Sequence, residues 1–300
     1  MSMETSGVAD DGFLASLRYL FADFIGEDND TPPFLPEGLP ASVASTAGDA
    51  IHLLIDYQSV SYAQLYVDRL RRFVGRHDVD DAMLGNIAGL MAARMSYEDP
   101  IRIAQLKLAE IGAAGEEKAC SDDEIRKFRL DELIGALPAA VAEPMLDGLE
   151  RMGWLHKTLS IRFSTRSRWA VRRLRMEAGL RRWRRSSVRY AKERAWVERW
   201  LHMINRSLAK QPAAAPEIVQ TATMIQGYGD IYRQGLADWH VIIDGLAKPT
   251  FDGVLVLPDL AGAIAEARAA AMPDPRQSAL KRKIAEIRAR ASFDAAAADA

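Results

Sequence analysis

From Ser160 to Trp200 the chain holds fourteen Lys or Arg against three Glu, a formal +11, while the whole chain is −2, so the other 259 residues carry −13. A near-neutral balance therefore hides a strongly polarised molecule, and segregation of this kind bears on partners and encounter rather than on fold. Within this segment Trp183, Tyr190, Val197 and Ile204 recur every seven residues and Leu201 falls four after Val197. That spacing predicts one buried stripe on a helix. Arg181, Arg182, Arg184 and Arg185 straddle Trp183, where guanidinium planes can stack on the indole or fork onto carboxylates and phosphates. Two readings follow. In one, a long central helix spreads its Arg stems over a core and pairs them with acidic neighbours; in the other, the segment is a surface for a polyanion or a partner protein.

The rest of the composition narrows the class. At 49% hydrophobic and 27% charged, with few β-branched residues and abundant Ala, Leu, Arg and Glu, the chain is expected to be mainly α. The expected architecture is a multi-helix bundle around the Arg-rich helix with at most a few short strands. Cys120 is the one cysteine, which excludes an intramolecular disulfide and any cysteine-held zinc or iron–sulfur centre within the chain. The five His are scattered with no His-x-x-x-His pair, so no metal site is expected; His52, His156 and His240 read as hydrogen-bonded core residues. The N-terminus is acidic and polar, and no window approaches eighteen uninterrupted apolar residues. A cytoplasmic protein with no membrane partner is the expectation.

In chain order, Asp11–Phe24 predicts a short amphipathic helix, and the prolines at 32, 33, 36 and 40 make residues 27–41 a linker or extended arm, so residues 1–43 read as a separate arm. A long helix is expected from Ala44 to about Arg71, then one over Ala82–Met95 capped by Asp80 or Asp81, then one over Ile101–Ile111 behind Pro100. The loop around residues 113–121 is a candidate sub-boundary, with Ser121 and Glu124 spaced as a capping box. Helices over Ile125–Leu137 and Val141–Met152 and a strand through Leu159, Ile161 and Phe163 would give a winged-helix-like order at 121–163. The third helix of that order is acidic, through Glu143, Asp147 and Glu150, which argues against a nucleic-acid groove. GYGDIYRQG at 227–235 reads as a rigid helix break or a binding turn built on Gly227, Gly229 and Gly235; it lacks the GxGxxG and Gly-Lys-Ser/Thr patterns of phosphate loops. Phe251–Pro258 predicts a short strand or extended segment, two closing helices follow over Leu260–Met272 and Gln277–Arg290, and residues 291–300 predict a frayed tail.

Several segments together resemble the C-terminal region of the beta subunit of bacterial indolepyruvate oxidoreductases, thiamine-dependent 2-oxoacid:acceptor enzymes. They are LIDYQSVSYAQLYVDRLRR (54–72), RMSYEDPIRIAQLKL (94–108), GLRRWRRSSVRYAKERAWVERWL (179–201), GYGDIYRQGLADW (227–239) and LPDLAGAIAEARAAAMPDP (257–275). The resemblance covers most of residues 44–284 and implies one helical domain over 44–290. It implies membership in a complex that oxidatively decarboxylates aryl-pyruvates to aryl-acetyl-CoA. Thiamine diphosphate, Mg, iron–sulfur clusters and coenzyme A are implied for that complex and none for this chain, which carries neither a Gly-Asp-Gly thiamine motif nor a cysteine ladder. In that family the region follows a gamma-type domain, which this chain is expected to lack. The implied role is an accessory, non-catalytic subunit that docks on the catalytic subunits. Arg181, Arg182, Trp183, Arg184, Arg185 and Arg189 would meet acidic partner surface or coenzyme A phosphates, and Tyr228, Asp230 and Arg233 would support a neighbouring turn. The alternative class is a nucleic-acid-binding helical protein using the same basic segment.

Overall fold

The structure, a computed structural model, describes residues 33–114, 124–165, 167–271 and 273–298. The expected helix Asp11–Phe24, the first part of the proline-rich arm (residues 27–32), Cys120 and Ser121 lie outside those residues. The described chain is mainly α with a single two-stranded sheet.

Helices α1 (Ala41–Tyr57) and α2 (Val60–Leu70) occupy the stretch expected to be one long helix. The break has a local cause and a distant one. Ser59 takes extended backbone and its Oγ accepts from Tyr62 N at 3.3 Å, which starts a new helix. The Tyr57 carbonyl, released from helical pairing, accepts from Arg184 at 2.6 Å and Gln105 at 3.3 Å. Helix α3 (Asp81–Met95) begins behind Asp80, whose Oδ1 accepts from Met83 N at 2.7 Å, and α4 (Pro100–Ala114) carries proline in its first position. Tyr57, Tyr62 and Tyr66 donate hydroxyl hydrogen bonds to the Tyr97, Met95 and Ala88 carbonyls. Burial raises the pKa of all three tyrosines, so they stay protonated donors.

Residues 124–163 correct the expected order. Glu124–Arg129 is a strand, β1, rather than the start of a helix; α5 (Leu130–Gly135) and α6 (Ala139–Arg151) follow, and β2 (Thr158–Phe163) pairs antiparallel with β1, Phe128 opposite Leu159. Strand, helix, helix, strand replaces the expected run of helices ending in one strand. The alternation of EIRKFR explains it: Phe128 is buried while Ile125 is 63% exposed, a period of two. Phe128 and Phe163 meet edge to face at 6.3 Å and, with Ile103, Ala104 and Leu174, make a small core of their own.

The basic segment is three pieces, α7 (Arg168–Gly179), the single turn α8 (Arg181–Arg184) and the central helix α9 (Val188–Lys210). Ser187 sets the last break, with extended backbone and Oγ accepting from Tyr190 N at 3.1 Å. Beyond it the stripe behaves as its spacing predicts, with Tyr190, Val197, Leu201 and Ile204 buried in the main core. Trp183 precedes the break, loses that phase and is 49% exposed.

Helix α10 (Ala215–Gln220) leads to α11 (Gly229–Ile242), which continues through a π-helical turn at Ile243–Ala247 into α12 (Lys248–Phe251). Pro249 brings no N–H to that helical run, and a widened turn is a known accommodation of such a break. Of the two expectations for 251–258 no strand forms: Phe251 closes α12, a turn with Gly253 at φ 76° and a bend follow, and residues 256–257 carry no regular structure. Helices α13 (Leu260–Ala270) and α14 (Ser278–Ala298) finish the described chain, α14 running through most of the stretch expected as a tail. Among the described residues no helix is long and apolar enough to cross a membrane.

Candidate functional site

The arginines flanking Trp183 separate into two populations. Arg184 is buried at 1% exposure and spends its guanidinium inside: on both oxygens of Asp99, on the Tyr57 carbonyl at 2.6 Å and on Gln58 Oε1 at 3.2 Å, with the Tyr57 ring 3.9 Å from its Cζ. The expectation that Arg184 meets a partner is therefore corrected; the α1–α2 break collects it. Arg185 reaches the Ser61 hydroxyl at 2.9 Å. Arg181 and Arg182 are exposed, and neither has an ion-pair partner among the described residues.

Those two extend a surface begun on α7. Leu174 is the one buried side chain of that helix, whereas Trp169 is 79% exposed and Met176 69%. Trp169 and Met176 on α7, Leu180 at the turn after it and Trp183 on α8 follow one another at seven, four and three residues, and Arg168, Arg172 and Arg175 are exposed on α7. Like Arg181 and Arg182, these three have no ion-pair partner among the described residues. An apolar stripe fringed by guanidinium groups that have no ion-pair partner among the described residues has the composition that interaction surfaces share. Only Arg181, Arg182 and Trp183 of its members stand out in the sequence; the arginines of α7 read there as part of one continuous helix.

Arg189 and Arg233 belong elsewhere. They line a cleft of about 610 Å³ whose floor is α9 and α11 and whose opposite wall is the chain between the strands, from Asp131 to Leu155. Arg189 Nε donates to Glu193 at 2.9 Å and its Cζ lies 3.8 Å from the Tyr232 ring centre. Glu193, 3% exposed, also accepts from Arg94 at 2.7 Å. Arg233 bridges Glu132 on the wall and Asp230 on its own helix. At the far end Arg199 Nη1 lies 3.0 Å from His240 Nδ1 and pairs with Asp244. A guanidinium only donates, so Nδ1 is the acceptor and the His240 proton sits on Nε2. Burial, and then the Arg199 cation, lower the His240 pKa. Asp230 is held below the usual carboxylate range by its hydrogen bond from Arg233.

Tyr228 does not join this cleft. Its ring stacks on Phe128 at 5.3 Å with Arg126 on it at 5.1 Å, so it clasps the start of α11 to β1. Gly227 and Gly229 have φ of 62° and 69°, the left-handed backbone expected of a turn. Gly235 is not a turn residue. It lies inside α11 against the Met224 carbonyl, where a Cβ would come within 2.0 Å of the oxygen. His52 is exposed rather than in the core, and His156 contacts Arg129. Among the described residues no group of three or more His, Cys, Asp or Glu is placed to hold a metal ion, and one cysteine in the whole sequence does not fit an iron–sulfur cluster.

The region 43–245 matches a family model described as a family of unknown function (DUF6537), over more than half of the chain. The chain belongs to this family. The matched region runs from α1 into the π-helical turn and contains the exposed face and every residue of the cleft. No curated protein and no solved structure matches the chain.

Proposed function

We propose that the chain is an accessory, non-catalytic subunit or domain of a cytoplasmic thiamine-dependent 2-oxoacid oxidoreductase of the aryl-pyruvate type, and that it docks on an acidic face of the catalytic subunit. The class of complex rests on the ordered sequence resemblance over residues 44–284. The observation that carries docking is the α7–α8 face, where Trp169, Met176, Leu180 and Trp183 lie exposed among five arginines without ion-pair partners among the described residues. Arg forks onto carboxylates with directional bonds, and aromatic residues with Arg recur at the energetic centres of interfaces. The cofactors of the reaction, thiamine diphosphate with Mg and iron–sulfur clusters, are assigned to the partner, and Arg181 and Arg182 are also suited to coenzyme A phosphates presented by it.

Affinity purification of the full chain from its own cell, with native mass and cofactor content measured, tests this. A large particle containing thiamine diphosphate and iron is expected, and it should be lost in a Trp169→Ser, Arg172→Glu, Arg175→Glu triple variant that remains folded. Purification of the wild type without any thiamine-dependent subunit would overturn it. The same face would serve a nucleic acid, but Glu143, Asp147 and Glu150 are exposed on α6 and oppose a polyanion. A gel shift on duplex DNA or RNA that weakens steeply with salt would favour that class instead.

A further inference from the structure

Asp238 is the exception among the buried charges. Of the charged side chains buried among the described residues, Arg69, Arg94, Asp99, Arg184 and Glu193 each sit in an ion pair, and Asp238, 5% exposed, sits in none. A buried carboxylate is rarely left without a cation. Its Oδ1 accepts from Gln234 Nε2 and from Gln277 Nε2, each at 2.8 Å. Its Oδ2 accepts from no described residue, yet it is not sealed in: the polar side-chain atoms that are both sealed and unpaired lie elsewhere. Asp238 lines a second cleft, of about 630 Å³, between α10, the turn after it, α11 and α13, and Oδ2 has its access there.

One face of α11 builds this cleft, with Ile231, Gln234, Gly235 and Asp238 recurring at three and four. Two other charged groups line it, Glu217 and Arg268, and they pair with each other at 2.6 Å, Arg268 also reaching the Thr223 hydroxyl at 3.3 Å. The lining is therefore left with one negative charge, on Asp238. Gln277, whose amide fixes that carboxylate, has φ of 57°, a left-handed backbone that a residue other than glycine keeps only where its surroundings enforce it. Met224, Ala265 and Ala269 supply apolar lining, and the volume suits a small organic molecule.

We propose that this second cleft is a binding site for a small aliphatic primary amine. Its ammonium donates to Asp238 Oδ2, and its hydrocarbon stem lies along Met224 and the two alanines. Other cations fit the lining less well. A guanidinium forks onto both oxygens of a carboxylate, and Oδ1 is already taken by two amides. A quaternary ammonium has no N–H to donate and is held by aromatic faces, which the lining lacks. A divalent metal ion asks for several oxygen ligands, and no group of three or more acidic, His or Cys side chains is placed to hold one among the described residues. The site shares no residue with the docking face or with the cleft at Arg189, and it is independent of the complex proposed above.

Isothermal titration of the full chain with butylamine, butylguanidinium, butanol and tetramethylammonium at neutral pH tests the assignment. Butylamine is expected to bind, and the other three at least tenfold more weakly. Asp238→Asn, which keeps the shape and an acceptor oxygen for the two amides, should reduce butylamine affinity at least tenfold. Glu266→Gln, at an exposed carboxylate on α13 outside the lining, should leave it within about twofold. Where Asp238→Asn fails to fold, the comparison of butylamine with butanol and butylguanidinium decides. Any of the three other probes binding as tightly as butylamine, butylamine affinity unchanged in Asp238→Asn or reduced as much in Glu266→Gln, or no butylamine binding at millimolar concentration would each overturn the proposal.

Discussion

The Arg184 guanidinium forks onto the Asp99 carboxylate, Nε to Oδ2 at 2.7 Å and Nη2 to Oδ1 at 3.0 Å, with both side chains buried and 85 positions apart in sequence. Removing one partner strands the other. Arg184→Met is expected to cost about 3–5 kcal/mol, read as a lower urea midpoint, and Arg184→Lys to recover little because an ammonium cannot fork. Arg181→Met, three residues earlier and exposed, should stay within about 0.5 kcal/mol of wild type. Equal effects at 181 and 184 would contradict the division of the arginines.

Gly235 and Gly148 make a second comparison. Both are inside helices, but a Cβ at Gly235 would meet the Met224 carbonyl, whereas nothing lies within 4 Å of one at Gly148. Gly235→Ala is expected to destabilise by about 1–3 kcal/mol and Gly148→Ala to stabilise by about 0.5–1 kcal/mol. Thermal melts of the two variants check both signs.

Trp239 is wholly buried and its Nε1 donates to the Thr221 hydroxyl at 2.9 Å, which in turn donates to the Ile218 carbonyl at 2.6 Å. Thr221→Val keeps the shape and breaks both bonds, orphaning an indole N–H. A loss of about 1–3 kcal/mol is expected, measured by chemical denaturation.

His240 gives a pH dependence of definite sign. Its pKa is lowered in the folded protein by burial and by Arg199, so below the ordinary His value near 6.5 the unfolded chain takes up the proton first. The contribution is complete above that value and is lost as pH falls through the window down to the folded pKa. Melting temperature should therefore drop less between pH 7.5 and 5.5 in His240→Gln than in wild type; an identical drop would reject the assignment.

How far the sequence foretells this molecule depends on how local the cause is. The Asp80 cap, the proline start of α4 and the Tyr190–Val197–Ile204 stripe are set within one or two turns and were legible. Strand β1 was not, because Glu124 pairs with Phe163, 39 residues on, and EIRKFR in isolation also suits a helix. Which arginine beside Trp183 turns inward was hidden for a similar reason: the carbonyl that receives Arg184 is freed by a helix break at Gln58–Ser59, 126 residues away. The cleft escaped notice because its lining comes from separated stretches between Asp131 and His240.

The Phe128–Phe163 contact has a mechanical consequence. The cleft's two sides differ in anchorage: α9 is built into the large core, whereas Asp131–Leu155 hangs between two strands moored on a five-residue cluster. Local opening follows the element with the fewest buried neighbours. Local unfolding is therefore expected to begin on the Asp131–Leu155 side and to reach α9 last.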